Sequence, residues 1–119
     1  MKKTLIIGAS NNLERYAYKA AERLLAHHHE IEMIGKRPDV VFGKTIDTEK
    51  KAFNEIDTVT LYLSAQYQPE YYDYILSLKP KRVIFNPGTE NREFAKLLTK
   101  NGIIFEEACT LVLLGTEQY

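Results

Sequence analysis

Short apolar runs alternate with longer segments of helical period along the whole chain, and this alternation most narrows what it can fold into. The runs Leu5–Ile7, Ile31–Ile34, Thr58–Leu63, Arg82–Phe85 and Ile103–Phe105 have the length and the Val, Ile, Leu and Thr content of buried strands. Between the first two, Leu13, Ala17, Ala20, Ala21, Leu24 and Leu25 recur at helical spacing, with Glu14, Lys19, Glu22 and Arg23 on the other side, which predicts a helix over 13–28. Pro69 opens a second helix, with Tyr71, Tyr74, Ile75 and Leu78 on one face and Pro80 as its stop. A third turns Phe94, Leu97 and Leu98 inward and ends at Gly102. Smaller pieces are an extended segment Val40–Gly43 after a turn at Pro38-Asp39, a short helix over 48–54 capped by Thr48, and a last apolar run Thr110–Leu114 read as an edge strand or a docked tail. Strand and helix in strict alternation imply an α/β fold. The expectation is a doubly wound sheet of about five parallel strands with helices on both faces, three layers in one domain spanning residues 1–119.

Charge bounds the partners. Sixteen basic and sixteen acidic residues cancel, so the chain has no general attraction to nucleic acid or to an anionic membrane, and any anion site has to be local. No run approaches the roughly 18 apolar residues that span a bilayer. The apolar stretch after Met1-Lys2-Lys3 is too short for a signal peptide. Cys109 is the only cysteine, which rules out an internal disulfide and fits a reducing, cytoplasmic setting.

The candidate anion site is the turn after the first strand. In a doubly wound sheet ligands bind beyond the carboxyl ends of the strands. Gly8 lets the backbone turn sharply there, and Ala9 and Ser10 follow with N–H groups and a hydroxyl. The next helix directs unpaired N–H groups at the same spot, and Arg15 adds a guanidinium suited to phosphate. The dinucleotide fingerprint G-x-G-x-x-G is incomplete, because Ser10 and Leu13 stand where its second and third glycines belong. After the second strand, where an acid would hold a ribose 2′-OH, the chain reads Gly35-Lys36-Arg37-Pro38. A basic pair there suits a phosphate on the ribose, which disfavours NAD and favours NADP or coenzyme A.

The ordered set Gly8-Ala9-Ser10, Arg15, the basic turn at Lys36-Arg37, Val41-Phe42-Gly43-Lys44 and Asn86-Pro87-Gly88-Thr89-Glu90-Asn91 resembles the small stand-alone CoA-binding proteins. These are Rossmann-like domains similar to the CoA-binding domain of the succinyl-CoA ligase α subunit. Two stretches depart from the family pattern: Asn11-Asn12-Leu13 lacks its proline, and Gly35-Lys36-Arg37 lacks its asparagine. The resemblance implies that Gly8, Ala9, Ser10 and Arg15 hold a pyrophosphate and that Lys36 or Arg37 holds the ribose phosphate. It also implies that Gly43, Leu63, Ser64, Asn86, Pro87 and Gly88 complete the groove.

Other features weigh less. Neighbouring side chains in His27-His28-His29 diverge, so the triplet makes a poor metal shell. Of the tyrosines clustered from Tyr62 to Tyr74, Tyr67, with Gln68, is placed to meet an adenine or a pantetheine arm. Cys109 is read first as a small core residue and second as a partner for a CoA thiol. Glu106-Glu107, Ser64 and Ser77 form no recognisable catalytic set. The sequence thus points to a protein that binds coenzyme A or an acyl-CoA without catalysis. Its rivals are an NADP-dependent oxidoreductase domain and a regulatory module with a degenerate groove, and a protein partner or a second copy is left open.

Overall fold

The computed structural model describes all 119 residues, Met1–Tyr119. Strand β1 (Thr4–Ile7) leads to helix α1 (Tyr16–Ala26) and strand β2 (Ile31–Ile34). A hairpin of β3 (Asp39–Val41) and β4 (Lys44–Asp47) follows, then β5 (Thr58–Leu61). Two short 3-10 turns, Ala65–Tyr67 and Pro69–Tyr71, lead into α2 (Tyr72–Leu78). The chain closes with β6 (Arg82–Phe85), α3 (Arg92–Lys100), β7 (Ile104–Glu107) and α4 (Thr110–Gly115). The sheet order is β3-β4-β2-β1-β5-β6-β7. All neighbouring pairs run parallel except β3 with β4.

The parallel strands read as continuous apolar runs because both faces of the sheet are covered. Side chains alternate across it. Leu5 and Ile7 of β1 join Val59, Leu61, Val83 and Phe85 under Ile75 of α2 and Phe94 and Leu98 of α3. Ile6 faces the other way, with Met33, Ile46 and Ile84, under Ala17, Ala21 and Leu24 of α1 and Leu114 of α4. The stripe Ala17, Ala20, Ala21, Leu24 is the i, i+3, i+4, i+7 pattern of one helix face. Its alanines let α1 lie close on the sheet. No helix is long and apolar enough to cross a membrane.

The α/β class, the doubly wound order and the coverage of both faces match the sequence reading. Four local expectations are corrected. There are seven strands rather than about five, because the extended piece near Val40 folds back as the hairpin β3–β4. Thr48–Asn54 holds no helix and crosses as irregular chain. The run Thr110–Leu114 is the short helix α4, which lies beside α1 instead of pairing with the sheet edge. Helix α1 begins at Tyr16, because Ser10, Asn12 and Arg15 first build a chain of local turns. The Ser10 hydroxyl accepts from the Asn12 N–H, the Asn12 side chain accepts from the Glu14 N–H, and the Asn12 carbonyl accepts from the Arg15 N–H.

Candidate functional site

Strand order reverses at β1. The chain runs outward from β1 to β2 and β4, then returns to the other side of β1 as β5. At such a switch point the loops leaving the two central strands part and leave a crevice at their carboxyl ends. A cleft of about 720 Å3 lies there, lined by Gly8, Ala9, Ser10, Asn11, Asn12 and Arg15 from the loop after β1. Lys36, Arg37, Asp39 and Ile46 line it from beyond β2 and from the hairpin, and Tyr62, Leu63, Ser64 and Tyr67 from beyond β5.

Three backbones meet tightly at its floor. Gly8 has φ +92°, and a Cβ there would meet the Tyr62 carbonyl oxygen at 2.8 Å. The N–H groups of Gly8 and Ala9 both donate to the Ile34 carbonyl at 2.9 Å. A Cβ on Gly35 would stand 2.5 Å from the Ala9 carbonyl oxygen. Only glycine fits at either point.

The walls are cationic. Arg15, Lys36 and Arg37 line the cleft, and none of them takes part in an ion pair. Lys36 Nζ lies over the Tyr67 ring at 5.1 Å from its centroid. This contact joins the loops beyond β2 and β5 on either side of the glycine turn. Arg15 is the N-cap residue of α1 and makes no side-chain capping bond. Tyr62 also lines the cleft, and its hydroxyl is buried near Thr110 and Thr60. Burial pushes that phenol up to about 12, so it is neutral at physiological pH.

Of the residues singled out by sequence, Gly8, Ala9, Ser10, Arg15, Lys36, Arg37, Leu63 and Ser64 come together around this cleft, as does Tyr67. Gly43, Asn86, Pro87 and Gly88 do not line it. Gly43, at φ +74°, forms the hairpin turn with Phe42. Asn86 is buried at 2% exposure behind the loops. Its Nδ2 donates to Thr60 Oγ1 at 2.6 Å and to the Leu61 carbonyl at 2.9 Å, and its Oδ1 accepts from the Thr110 N–H at 2.9 Å. Pro87 and Gly88 are exposed at the following turn, where the Gly88 N–H donates to Glu90.

Gln68 is also a support rather than a ligand contact. Its Nε2 donates to the Leu63 and Thr89 carbonyls at 2.9 and 2.7 Å, and its Oε1 accepts from Asn91 at 2.9 Å. Asn91 in turn caps α3 by accepting from the Phe94 N–H. This buried network fixes the loops after β5 and β6 against each other.

Sequence reasoning missed Gly35, Asn11 and Asp39. Gly35 is visible only once Ala9 is placed against it. Asp39 reaches the cleft because the hairpin folds back, and the one local signal for that was the Phe42-Gly43 pair. The histidine triplet closes no metal shell, since His29 Nδ1 instead accepts from the Lys2 N–H at 2.9 Å. No group of three His, Cys, Asp or Glu residues is arranged to hold a metal ion. Cys109 is half-buried and precedes α4 as its N-cap residue.

Known proteins share this architecture. The model of a family described as a CoA binding domain matches residues 2–115. The crystal structure of an uncharacterized protein is 54% identical, with a TM-score of 0.98 over 100% of this chain and 98% of that one. A hypothetical protein from Pyrococcus horikoshii OT3 is 26% identical, with a TM-score of 0.86 over 93% of this chain and 80% of its own. A protein from Thermus thermophilus, 18% identical with a TM-score of 0.86 over 99% of this chain and 90% of its own, shares the fold. No curated protein matches.

Proposed function

This chain belongs to the CoA binding domain family, and on that footing we propose that its cleft binds coenzyme A or an acyl-CoA, as a carrier or sensor of the ligand and without catalysis of its own. The observation that carries the reading is the set of three cations, Arg15, Lys36 and Arg37, that line one cleft with no acidic partner in an ion pair. In a chain of zero net charge, unpaired cations gathered around a glycine turn favour a polyanionic ligand. The pyrophosphate is assigned to Ser10 and to Arg15, which offers a planar fork to phosphate oxygens; Gly8 and Ala9 shape the turn beneath it, since their own N–H groups are taken by the Ile34 carbonyl. The ribose phosphate is assigned to Lys36 and Arg37. Leu63 and Ser64 then form the wall along which the pantetheine arm leaves. Gln68 holds that wall through the Leu63 carbonyl, Asn86 braces the end of β5 that leads into it, and Gly43 shapes the hairpin on the other side.

A thermal-shift titration under reducing conditions with CoA, acetyl-CoA, NAD and NADP tests this. A ligand that binds only the folded state adds about 2.7 kcal/mol at a hundredfold excess over its Kd. A rise in Tm with the CoA species alone is the expected result. A rise with NADP alone would move the protein to the oxidoreductases, and no rise with any of them would favour a groove that has lost its ligand. Arg15→Ala and Lys36→Ala are each expected to weaken CoA binding by about tenfold, the worth of one charge-assisted hydrogen bond. CoA affinity unchanged in both variants would overturn the placement.

A further inference from the structure

The cleft is cationic except at one point. Asp39 opens β3 and lines the cleft with Arg15, Lys36 and Arg37, yet it joins no ion pair. Its Oδ1 accepts from the Val40 N–H at 2.8 Å and its Oδ2 from Asn11 Nδ2 at 3.2 Å. These two bonds orient the carboxylate between the hairpin and the turn after β1. An ionised carboxylate has about four acceptor sites, so two bonds leave it able to accept more. It has no proton to give and repels phosphate. What it takes from a nucleotide is a hydrogen-bond donor, and next to the cations that hold a ribose phosphate the donor at hand is the ribose hydroxyl.

In doubly wound folds the acid that holds a ribose hydroxyl stands at the end of the second strand. Here Gly35, Lys36 and Arg37 occupy that place, and Gly35 has no room for a side chain. The acid returns a few residues later, because β3 pairs antiparallel with β4 and begins beside the cleft. Cations and carboxylate therefore share one wall, from one connection.

We infer that Asp39 determines specificity by accepting a hydrogen bond from the free ribose hydroxyl of the bound nucleotide, while Lys36 and Arg37 take the phosphate on the adjacent ribose carbon. The inference rests on the CoA reading above, since the ribose of CoA carries a 3′-phosphate beside a free 2′-hydroxyl. Cations alone would hold a ribose phosphate whatever its neighbour. The carboxylate adds a demand for the hydroxyl, and a site built around a hydrogen bond rejects the analogue that lacks it.

Calorimetric titration of CoA, adenosine 3′,5′-bisphosphate and its 2′-deoxy analogue into the wild type, Asp39→Ala and Asp39→Asn reads this directly. The wild type is expected to prefer the hydroxyl form about tenfold. In Asp39→Ala the two bisphosphates bind equally. In Asp39→Asn, which keeps the shape and a neutral acceptor and so guards against misfolding of the alanine variant, the preference shrinks to a few-fold. A role confined to bracing Asn11 would weaken both bisphosphates alike and leave their ratio at its wild-type value, and that result overturns the inference. So does a wild type that binds both forms equally. CoA failing to bind the wild type would overturn the binding reading and this one with it, whereas CoA binding with an unmoved ratio overturns this one alone.

Discussion

Gly8, Gly35 and Asn86 show how closely single residues are constrained around the cleft. Gly8 combines a left-handed φ with a floor formed by the Tyr62 carbonyl. Gly8→Ala is expected to cost roughly 2 kcal/mol through strain and displacement of that carbonyl, and chemical denaturation would measure it. A stability equal to wild type would mean the turn can relax. Asn86 satisfies the Leu61 carbonyl, the Thr60 hydroxyl and the Thr110 N–H from one buried side chain. Asn86→Ala strands the Leu61 carbonyl and the Thr110 N–H and leaves Thr60 with Thr110 Oγ1 as partner, and a loss of about 3 kcal/mol follows from the two unpaired groups. The same variant should weaken CoA binding far less than Lys36→Ala does, because Asn86 is absent from the cleft lining. The sequence marked both Gly8 and Asn86; the structure gives Gly8 the sharp turn expected of it and turns Asn86 into the fold. A glycine after a strand announces its turn, whereas an asparagine before Pro-Gly looks alike whether it faces a ligand or the core.

At the scale of elements, the hairpin β3–β4 is the part the apolar pattern read least well. Its strands are short, each has two exposed residues, and the turn between them needs positive φ at two successive residues. Gly43 takes that conformation at no steric cost, but Phe42, at φ +53°, does so against its preference and packs on Tyr18 at 5.0 Å between ring centroids. A Cβ on Gly43 would meet nothing within 4 Å, so Gly43→Ala adds backbone strain only. The expected loss is about 1 kcal/mol, read as a small fall in Tm, with CoA binding affected less than in Lys36→Ala. Helix α3 shows a different case, in which the N-cap residue also ties down a distant loop. Asn91 accepts from the Phe94 N–H and donates to Gln68 and to the Tyr72 hydroxyl. Asn91→Ala should cost roughly 2 kcal/mol, more than an isolated cap, since Gln68 loses a partner as well. Of the two readings for Thr110–Leu114, the docked tail holds and the edge strand does not, and the sequence left both open for a plain reason. Thr110–Leu114 is too short for its period to be told from a strand, and its place against α1 is what made it a helix.

Across the whole molecule, the end of the sheet opposite the cleft gathers chain segments from both termini. The Tyr119 hydroxyl shares a hydrogen bond of 2.5 Å with Thr4 of β1. Its ring lies against His29 at 4.9 Å and under the Arg82 guanidinium at 4.4 Å. His29 accepts from the Lys2 N–H, so it must be neutral at Nδ1. Burial, followed by the positive charges of the N-terminus, His27, Lys2 and Arg82, holds its pKa below the ordinary 6.5. Above 6.5 His29 is neutral folded and unfolded, and its contribution is complete. As the pH falls below 6.5 the unfolded chain takes up the proton first, so stability declines until the folded histidine also protonates. Unfolding curves between pH 7.5 and 5 should show this decline. His29→Asn, which keeps an acceptor and cannot titrate, should flatten it, and an unchanged slope would assign the effect to other groups. What the sequence determined by itself was the layered α/β plan and the identity of the glycine turn with its basic flank. Periodicity, burial of parallel strands and the φ freedom of glycine are local properties that a chain carries with it. What only the tertiary structure decided was which polar residues face the cleft. Asp39 enters it, and Asn86 and Gln68 withdraw from it, because the direction of a polar side chain is set by which backbone groups elsewhere in the chain are left to be satisfied.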